Sequence, residues 1–381
     1  MASSPRLEFQ VAYCSLQGAE PSFDPDFNSS VMWDIPLLDG YKWTVVPDHH
    51  RASSCETANY NTGLWNLISK GQFDAVVCYV SYLRRAFWTC YTAARFSDAA
   101  FLFGTDATTL AARDGRSWKK VAKAIAWRGL FRLANQVIVP STASYDLMRR
   151  LHIPEDRITL TPYAVDNEWW IDRASRVDRK SVRRSWGVSS ECKVVLFCAK
   201  LQPWKRPFDV LRAFADCSVK DAILVFAGDG PLLGELRAAA ASLKVSDRVR
   251  FLGFVNQSEL PAIYRSADLM VLPSDYEPFA VVVNEAMCCG CPVIVSDRVG
   301  AARDLVSPVY APFVLPCGNL DVLATTISEA LRSRDLLSLL GAKCVEHMQH
   351  WSFRQNIPAT IEAVERAVSR KARRQIEVDR H

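Results

Sequence analysis

The stretch PSDYEPFAVVVNEAM, residues Pro273–Met287, decides the fold of this chain. It follows the apolar run Leu269–Leu272, which predicts a buried strand, and it leads into a predicted helix with Pro278 in the first turn. The first backbone amides of such a helix lack a helical acceptor. Here these are the amides of Phe279, Ala280 and Val281. Free amides and the helix dipole bind phosphate, so the stretch predicts a phosphate site at the C-terminal edge of a parallel sheet.

Two acids flank this turn at a spacing that suits an extended ligand. Glu277 precedes the predicted helix and Glu285 lies about two turns inside it, so they are roughly 10 Å apart at about 1.5 Å rise per residue. A retaining glycosidase needs its two carboxylates about 5 Å apart, which excludes that arrangement. The spacing fits one acid holding sugar hydroxyls and the other holding ribose hydroxyls. A solvated acid and an ordinary helix-face acid are the alternative.

Neighbouring strand ends carry residues that suit the same ligand. Lys200 and Lys205 follow the predicted strand Lys193–Cys198 and would neutralise a pyrophosphate, although surface solvation also explains either lysine alone. Gly228 and Gly230 follow the next predicted strand, where glycine permits close approach of the backbone, although each is also explained by a simple turn. Ligands of open α/β sheets bind at this edge.

Short β-rich runs alternate with longer amphipathic stretches, a pattern typical of parallel sheets covered by helices. The first half contains predicted strands at Glu8–Cys14, Lys42–Val46, Ala75–Val80, Ala99–Phe103, Gln136–Val139 and Ile158–Thr161. The second half contains predicted strands at Lys193–Cys198, Ala222–Ala227, Val249–Leu252, Leu269–Leu272, Pro292–Val295 and Phe313–Leu315. The polar stretch Asp166–Ser190 separates the two series, so we expect two α/β domains with a ligand cleft at their boundary.

The composition narrows the class of protein. Of 381 residues, 49% are hydrophobic and 23% are charged, which predicts a folded globular chain. No apolar run reaches the roughly 18 residues of a membrane-spanning helix and no signal peptide is recognisable, so a cytoplasmic location is expected. The twelve cysteines are interpreted as reduced thiols, and Cys288, Cys289 and Cys291 as core residues rather than metal ligands. The net charge of +5 suits anionic partners, whereas no nucleic-acid-binding module is recognisable.

Four features together resemble the retaining glycosyltransferases of family 4, which have the GT-B fold. They are Glu277 and Glu285 with seven residues between them, the stretch Ala286–Val293, the turn Gly228–Pro231, and the pair Lys200 and Lys205. The resemblance implies two Rossmann-like domains facing across a cleft, with a C-terminal helix that crosses back to the N-terminal domain. It predicts an acceptor-side domain over 1–165, a linker over 166–190, a nucleotide-sugar donor domain over 191–351, and a crossover helix with a basic tail over 352–381.

The resemblance also implies roles for the matching residues. Glu277, Lys200 and Lys205 form the catalytic group, in which the acid contacts the donor sugar and the lysines hold the diphosphate. Glu285 would contact the ribose. The remaining donor-binding positions are Gly228, Gly230, Phe254, Pro278, Phe279, Ala280 and Val281, with the base near Phe254. Fixed positive charge would stabilise the leaving diphosphate, so no metal and no cofactor are expected.

The chain departs from this family in its first half. The family's opening strand, glycine-containing loop and helix are missing before the strand placed at Glu8–Cys14. Where many members carry a histidine after an N-domain strand, this chain has Phe103–Asp106. Asp106 is therefore a candidate acceptor-side residue, with a turn or a helix cap as the alternative.

A basic stretch with aromatic residues, Gly115–Leu133, predicts an amphipathic helix. Such a helix suits peripheral contact with an anionic membrane, as an enzyme acting on a lipid-linked acceptor would need. Simple packing of an N-domain helix is the alternative.

Together with these observations, the resemblance implies a hexosyltransferase that moves a sugar from a UDP- or GDP-linked donor to a glycan or lipid-linked glycan with retention. A role in bacterial surface polysaccharide synthesis is implied by the resemblance alone. The alternatives are a nucleotide-sugar hydrolase or epimerase on the same fold, a nucleotide-sugar-binding subunit without independent activity, and an oxidoreductase. The oxidoreductase is disfavoured because Gly228, Gly230 and Gly234 miss the dinucleotide-binding spacing by one residue.

Overall fold

The computed structural model describes residues 5–24, 29–46, 62–111 and 117–378. In the first half of the chain the elements are β1 (Gln10–Tyr13), β2 (Ser22–Asp24), β3 (Ser29–Val31), β4 (Lys42–Val45), α1 (Thr62–Lys70), β5 (Ala75–Cys78), α2 (Arg85–Phe96), β6 (Ala100–Gly104), α3 (Ser117–Leu133), β7 (Gln136–Val139), α4 (Thr142–Arg150) and β8 (Ile158–Leu160). In the second half they are α5 (Asn167–Ser175), α6 (Arg179–Ser185), β9 (Lys193–Cys198), α7 (Pro207–Ala215), β10 (Ala222–Ala227), α8 (Leu233–Ser242), β11 (Val249–Gly253), α9 (Leu260–Ser266), β12 (Leu269–Leu272), α10 (Val281–Cys288), β13 (Val293–Ser296), α11 (Ser307–Tyr310), β14 (Val314–Leu315), α12 (Leu320–Arg332), α13 (Arg334–Met348) and α14 (Phe353–Val378).

The chain forms two compact α/β units. The N-terminal unit comprises the described residues of 1–16, 38–162 and 354–381, and the C-terminal unit comprises those of 17–37 and 163–353. Each unit contains a parallel sheet covered by helices, which confirms the predicted pair of Rossmann-like domains.

The N-terminal unit contains a parallel sheet of order β5-β6-β7-β8 and a separate parallel pair, β1 and β4. The final helix α14 packs on the sheet, because Ala363 and Ala367 contact the buried residues Leu102 and Ile138. Small side chains let the helix lie close to the strands. Further along α14, Arg370 forms an ion pair with Asp156 at 2.7 Å. The predicted return of the last helix to the N-terminal domain is confirmed.

The C-terminal unit contains a six-stranded parallel sheet of order β11-β10-β9-β12-β13-β14. Every residue of β9, β10, β12 and β13 is buried, as expected for parallel strands with helices on both faces. The chain runs outward from β9 to β11 and then returns to the other side of β9 at β12. The neighbours β9 and β12 therefore form the point at which the strand order reverses.

The segment predicted as a linker, 166–190, differs from that prediction. It forms α5 and α6 and belongs to the C-terminal unit. Asp166 caps α5 by accepting a hydrogen bond from the Trp169 amide, and Asp178 caps α6 in the same way. Trp170 is buried in the hydrophobic core of the unit, so this segment is part of the folded domain.

The described cysteines are free thiols, and eight of the eleven are buried. Cys288, Cys289 and Cys291 are each 1% exposed, and burial raises the pKa of each thiol. The prediction that these three are core residues is confirmed. The remaining cysteine, Cys55, lies outside the described residues.

Candidate functional site

The predicted donor-site residues follow the C-terminal ends of neighbouring strands. Lys200 follows β9, Gly228 follows β10, Phe254 follows β11 and Glu277 follows β12. Because the strands are parallel, these positions lie at one edge of the sheet, and the ends of β9 and β12 are neighbours at the point where the strand order reverses. That point is where open α/β sheets bind ligands.

Lys205 and Glu277 form a shielded ion pair at this point. The Lys205 Nζ lies 2.5 Å from both carboxylate oxygens of Glu277, and the two side chains are 16% and 13% exposed. The loops that carry them are also joined by a hydrogen bond of 2.7 Å from the Asp275 amide to the Trp204 carbonyl. The fold thus places an ammonium and a carboxylate side by side, and their predicted contacts with the diphosphate and the sugar stay predictions.

The helix α10 begins at Val281, three residues later than the predicted start at Pro278. The difference arises because the backbone of 277–279 pairs with the loop after β13. The backbone carbonyl of Glu277 accepts a hydrogen bond from the Gly300 amide, and the backbone carbonyl of Phe279 accepts one from the Ala301 amide, each at 2.9 Å. Ala280 then has a φ of 83°, a left-handed conformation that turns the chain into the helix. The assignment of Pro278 to the first helical turn was wrong, and the helix amides available to a phosphate start at Val281.

Glu285 is buried on α10 and faces α9. The Tyr264 hydroxyl donates a hydrogen bond of 2.8 Å to the Glu285 carboxylate. Glu285 as a whole is 5% exposed. Burial raises the pKa of the Glu285 carboxyl to about 7, and hydrogen bonds from Tyr264 and Gln257 oppose that rise. The group therefore changes protonation state near neutral pH. Its predicted contact with ribose stays a prediction.

Gly228 and Gly230 occupy positions that require glycine. Their φ angles are 142° and 151°, a region that other residues rarely adopt. A Cβ on Gly228 would lie 2.1 Å from the Ala199 carbonyl oxygen, and one on Gly230 would lie 2.8 Å from the Leu201 carbonyl oxygen. The loop after β10 therefore packs directly on the loop that carries Lys200.

Residues 17–24 and 29–37, called the strap below, belong to the C-terminal unit although they precede β4 in the chain. Asp24 in the strap forms an ion pair of 2.9 Å with Lys200. Trp33 contacts Phe254, with ring centroids 5.9 Å apart. The sequence analysis placed these residues in the N-terminal domain and missed both contacts. The strands β2 and β3 are three residues each, which is too short for a periodic pattern to reveal.

Asp106, the candidate acceptor-side residue, lies in the N-terminal unit and is exposed. It follows β6, and Thr105 beside it accepts a hydrogen bond from the Ala107 amide through its side chain. Asp106 thus lies at the C-terminal edge of the N-terminal sheet. Its role in acceptor binding stays a prediction.

Comparisons with known proteins match both halves of the chain to glycosyltransferases. Residues 6–164 match the family described as glycosyl transferase 4-like domain, and residues 178–344 match glycosyl transferases group 1. An uncharacterised glycosyltransferase of Methanocaldococcus jannaschii is 32% identical over 214 residues, which are 56% of this chain and 54% of that protein. A D-inositol 3-phosphate glycosyltransferase of Catenulispora acidiphila is 29% identical over 234 residues, 58% of this chain and 54% of that protein. The chain spans about half the length of these curated relatives.

A solved structure with the same fold is HepE of Anabaena, crystallised with UDP and glucose. The TM-score is 0.67 at 21% sequence identity, and the match covers 84% of this chain and 86% of HepE. This likeness shows the fold of the chain. The two family matches follow one another along the chain, a 4-like domain and then a group 1 domain, and the fold is that of the GT-B glycosyltransferases.

Proposed function

We propose that this protein transfers a sugar from a nucleotide-diphosphate sugar to a glycan or lipid-linked glycan, with retention of the anomeric configuration. The observation that carries the proposal is the Lys205–Glu277 pair beside the start of α10, where β9 and β12 end. In the reaction the bond between the anomeric carbon and the diphosphate oxygen breaks, and the diphosphate leaves with the electron pair. The acceptor hydroxyl oxygen bonds to that carbon, and its proton passes to the departing diphosphate. Fixed positive charge at the leaving group lowers the barrier for this step.

Each residue of the site is assigned to one part of the proposed donor: the diphosphate, the sugar, the ribose or the base. Lys200 and Lys205 hold the diphosphate together with the first amides of α10, and Glu277 contacts the sugar. Glu285 lies toward the ribose and Phe254 toward the base. The two lysines supply point charges, which suit a diphosphate of variable orientation.

Metal independence is part of the proposal. Two lysines and a helix N-terminus supply the positive charge that a divalent cation supplies at other diphosphate sites. Among the described residues, no group of three or more His, Cys, Asp or Glu side chains is placed to bind a metal ion. Equal transfer rates with added magnesium and with a chelator would support metal independence, and a loss of activity with the chelator would contradict it.

Nucleotide binding gives the first test. UDP is the first nucleotide to try because HepE was crystallised with it, and GDP is the second. A ligand present at 100 times its Kd stabilises the folded state by about 2.7 kcal/mol, so thermal unfolding should shift upward with the correct nucleotide diphosphate. The shift should vanish in Lys205→Ala and in Glu285→Ala. It should persist in Lys220→Ala, because Lys220 is exposed and precedes β10 at the opposite edge of the sheet.

The reaction itself separates the proposal from its alternatives. Sugar transfer should require an acceptor, and the anomeric proton of the product should show by NMR the same configuration as the donor. Release of free sugar without an acceptor would instead identify a hydrolase. Nucleotide-sugar binding without turnover, followed by turnover when a partner chain is added, would identify a binding subunit. Equal nucleotide shifts in wild type, Lys205→Ala and Glu285→Ala would refute the assigned site.

We also propose that α3 brings the enzyme to anionic membranes that carry a lipid-linked acceptor. One face of α3 is packed in the N-terminal unit, where Trp127 and Phe131 are 7% and 1% exposed. The other face exposes three apolar side chains at helical spacing, with Trp118, Val121 and Ile125 at 65%, 61% and 71%. The same helix carries exposed cations at Lys120, Arg128 and Arg132. Exposed apolar side chains on a cationic helix are complementary to an anionic bilayer surface.

Vesicle sedimentation tests this contact. At low salt the protein should bind vesicles of phosphatidylglycerol and phosphatidylcholine and should bind phosphatidylcholine alone much less. The double variant Trp118→Ser, Ile125→Ser should lose binding. Leu339→Ser, at a residue that is 54% exposed on α13, should retain it. No wild-type binding to the anionic vesicles at low salt would refute the membrane proposal. Within the described residues no helix is long and apolar enough to span a membrane.

A further inference from the structure

The strap joins the ends of two strands that are not neighbours in the sheet. At one end Asp24 pairs with Lys200, which follows β9, and both side chains are partly shielded at 20% and 27% exposure. At the other end Trp33 contacts Phe254, which follows β11. The strand β10 lies between β9 and β11, so both contacts of the strap lie at the edge of the sheet that carries the proposed diphosphate and base contacts.

Gly18 holds Trp33 in place through a backbone hydrogen bond and a close contact with its ring. Its amide donates a hydrogen bond of 2.9 Å to the Gly18 carbonyl. A Cβ on Gly18 would lie 2.9 Å from the indole ring, and the φ of Gly18 is 89°. The Trp33 indole therefore packs directly against the backbone of Gly18. It also contacts the Phe254 ring, at an interplanar angle of 48°. An aromatic ring fixed in this way has a defined orientation.

Reciprocal hydrogen bonds fix the strap to the loop after β11. The Asn256 side-chain amide donates to the Met32 carbonyl at 2.8 Å, and its oxygen accepts from the Asp34 amide at 3.3 Å. The Asp34 carboxylate in turn accepts from the Ser258 amide at 3.0 Å. Met32 and Asp34, on either side of Trp33, are therefore tied to the residues that follow Phe254. These hydrogen bonds fix the position of this part of the strap on the loop after β11.

We propose that the strap forms one wall of the donor site, in which Trp33 contacts the nucleobase beside Phe254 and Asp24 holds Lys200 until the diphosphate takes its place. The inference rests on the proposed function and adds two residues to its site. Trp33 supplies a fixed aromatic surface of the kind on which bases stack. The Asp24 carboxylate and a diphosphate are both anions that seek the same ammonium, so they compete for Lys200. Removing the Asp24 charge then tightens diphosphate binding.

Titration of the full chain with UDP and with uridine tests both contacts. UDP is measured by calorimetry and uridine by ligand-observed NMR. Asp24→Asn should lower the Kd for UDP at least threefold and leave the Kd for uridine unchanged. Trp33→Ala should raise the Kd for both ligands at least fivefold, and Trp33→Phe, which keeps an aromatic ring in a folded strap, should restore it to within twofold. Asp247→Asn is the control for the lost charge, because Asp247 is exposed and precedes β11 at the opposite edge of the sheet.

The outcomes separate this inference from the proposed function. If wild type binds neither UDP nor GDP, the proposed function fails and the strap has no donor to contact. If wild type binds UDP, a Kd in Asp24→Asn at or above the wild-type value overturns the inference, because it gives Asp24 a supporting role. Unchanged uridine binding in Trp33→Ala also overturns it, because the indole then lies away from the base.

Discussion

Replacing Glu285 by glutamine tests the burial of its carboxyl group through protein stability alone. Burial raises the pKa of Glu285 from 4.5 to about 7. Between these two pH values the folded state binds more protons at this group than the unfolded state does. The free energy of unfolding therefore falls as the pH rises through this window, so the contribution is full below pH 4.5 and lost above pH 7. A difference of 7 − 4.5 = 2.5 units, at about 1.36 kcal/mol each, amounts to about 3 kcal/mol.

The variant Glu285→Gln cannot ionise, and its amide oxygen can still accept the hydrogen bond from Tyr264. Urea denaturation of wild type and variant at several pH values from 4.5 to 7.5 gives the comparison. The free energy of unfolding of wild type minus that of the variant should fall by about 3 kcal/mol across this range. Glu235→Gln is the control, because Glu235 is exposed on α8 and its variant should show no such trend. A difference that stays constant with pH would refute the reasoning.

Three further predictions follow from the same loops and core. Gly228→Ala should destabilise the fold by about 3 kcal/mol or more in urea denaturation, because its Cβ would clash with the loop after β9. The control Gly234→Ala, which has open space around it in α8, should stabilise the fold by about 1 kcal/mol, and similar effects at both positions would contradict this reasoning. Lys205→Met should destabilise by about 3 kcal/mol because it leaves Glu277 shielded and unpaired, and the double variant with Glu277→Leu should recover most of the loss, which a double-mutant cycle measures; purely additive effects would count against the pair. In the native state a thiol reagent should modify Cys14, which is exposed, and should reach the eight buried thiols of the described residues only after denaturation; mass spectrometry locates the labels, and early modification of a buried thiol would contradict the assigned packing.

The sheet of the C-terminal unit could be predicted because its strands are covered on both faces. Such strands are continuous apolar runs, as at Ala222–Ala227, and their bounds coincide with the runs themselves. The site edge followed from the same reasoning. Once the strands are taken as parallel, the residues after β9, β10, β11 and β12 must lie at one edge, and Lys205 and Glu277 indeed meet there.

The start of α10 could not be predicted from its local sequence. Proline at the first helical position is a common signal, and Pro278 fitted it. The backbone beside it is held instead by a segment that follows β13, where Gly300 lacks a side chain and lies against the Pro278 carbonyl. A Cβ on Gly300 would lie 1.9 Å from that carbonyl oxygen. This long-range contact outweighs the local preference, and nothing within the turn itself encodes it.

The strap was assigned to the wrong neighbours for a related reason. The strands β1 and β4 are a parallel pair in the N-terminal unit, and two parallel strands need a long connection that leaves the sheet and returns. Because both strands lie in the N-terminal unit, the order of the chain predicts that their connection lies there too. Its side chains decide otherwise, because Asp24 meets Lys200 and Trp33 meets Phe254, each in the C-terminal unit. A charge pair, an aromatic contact and a few hydrogen bonds are invisible to periodicity, yet they tie this connection to the C-terminal unit and place it at the edge of the sheet that carries Lys200 and Phe254.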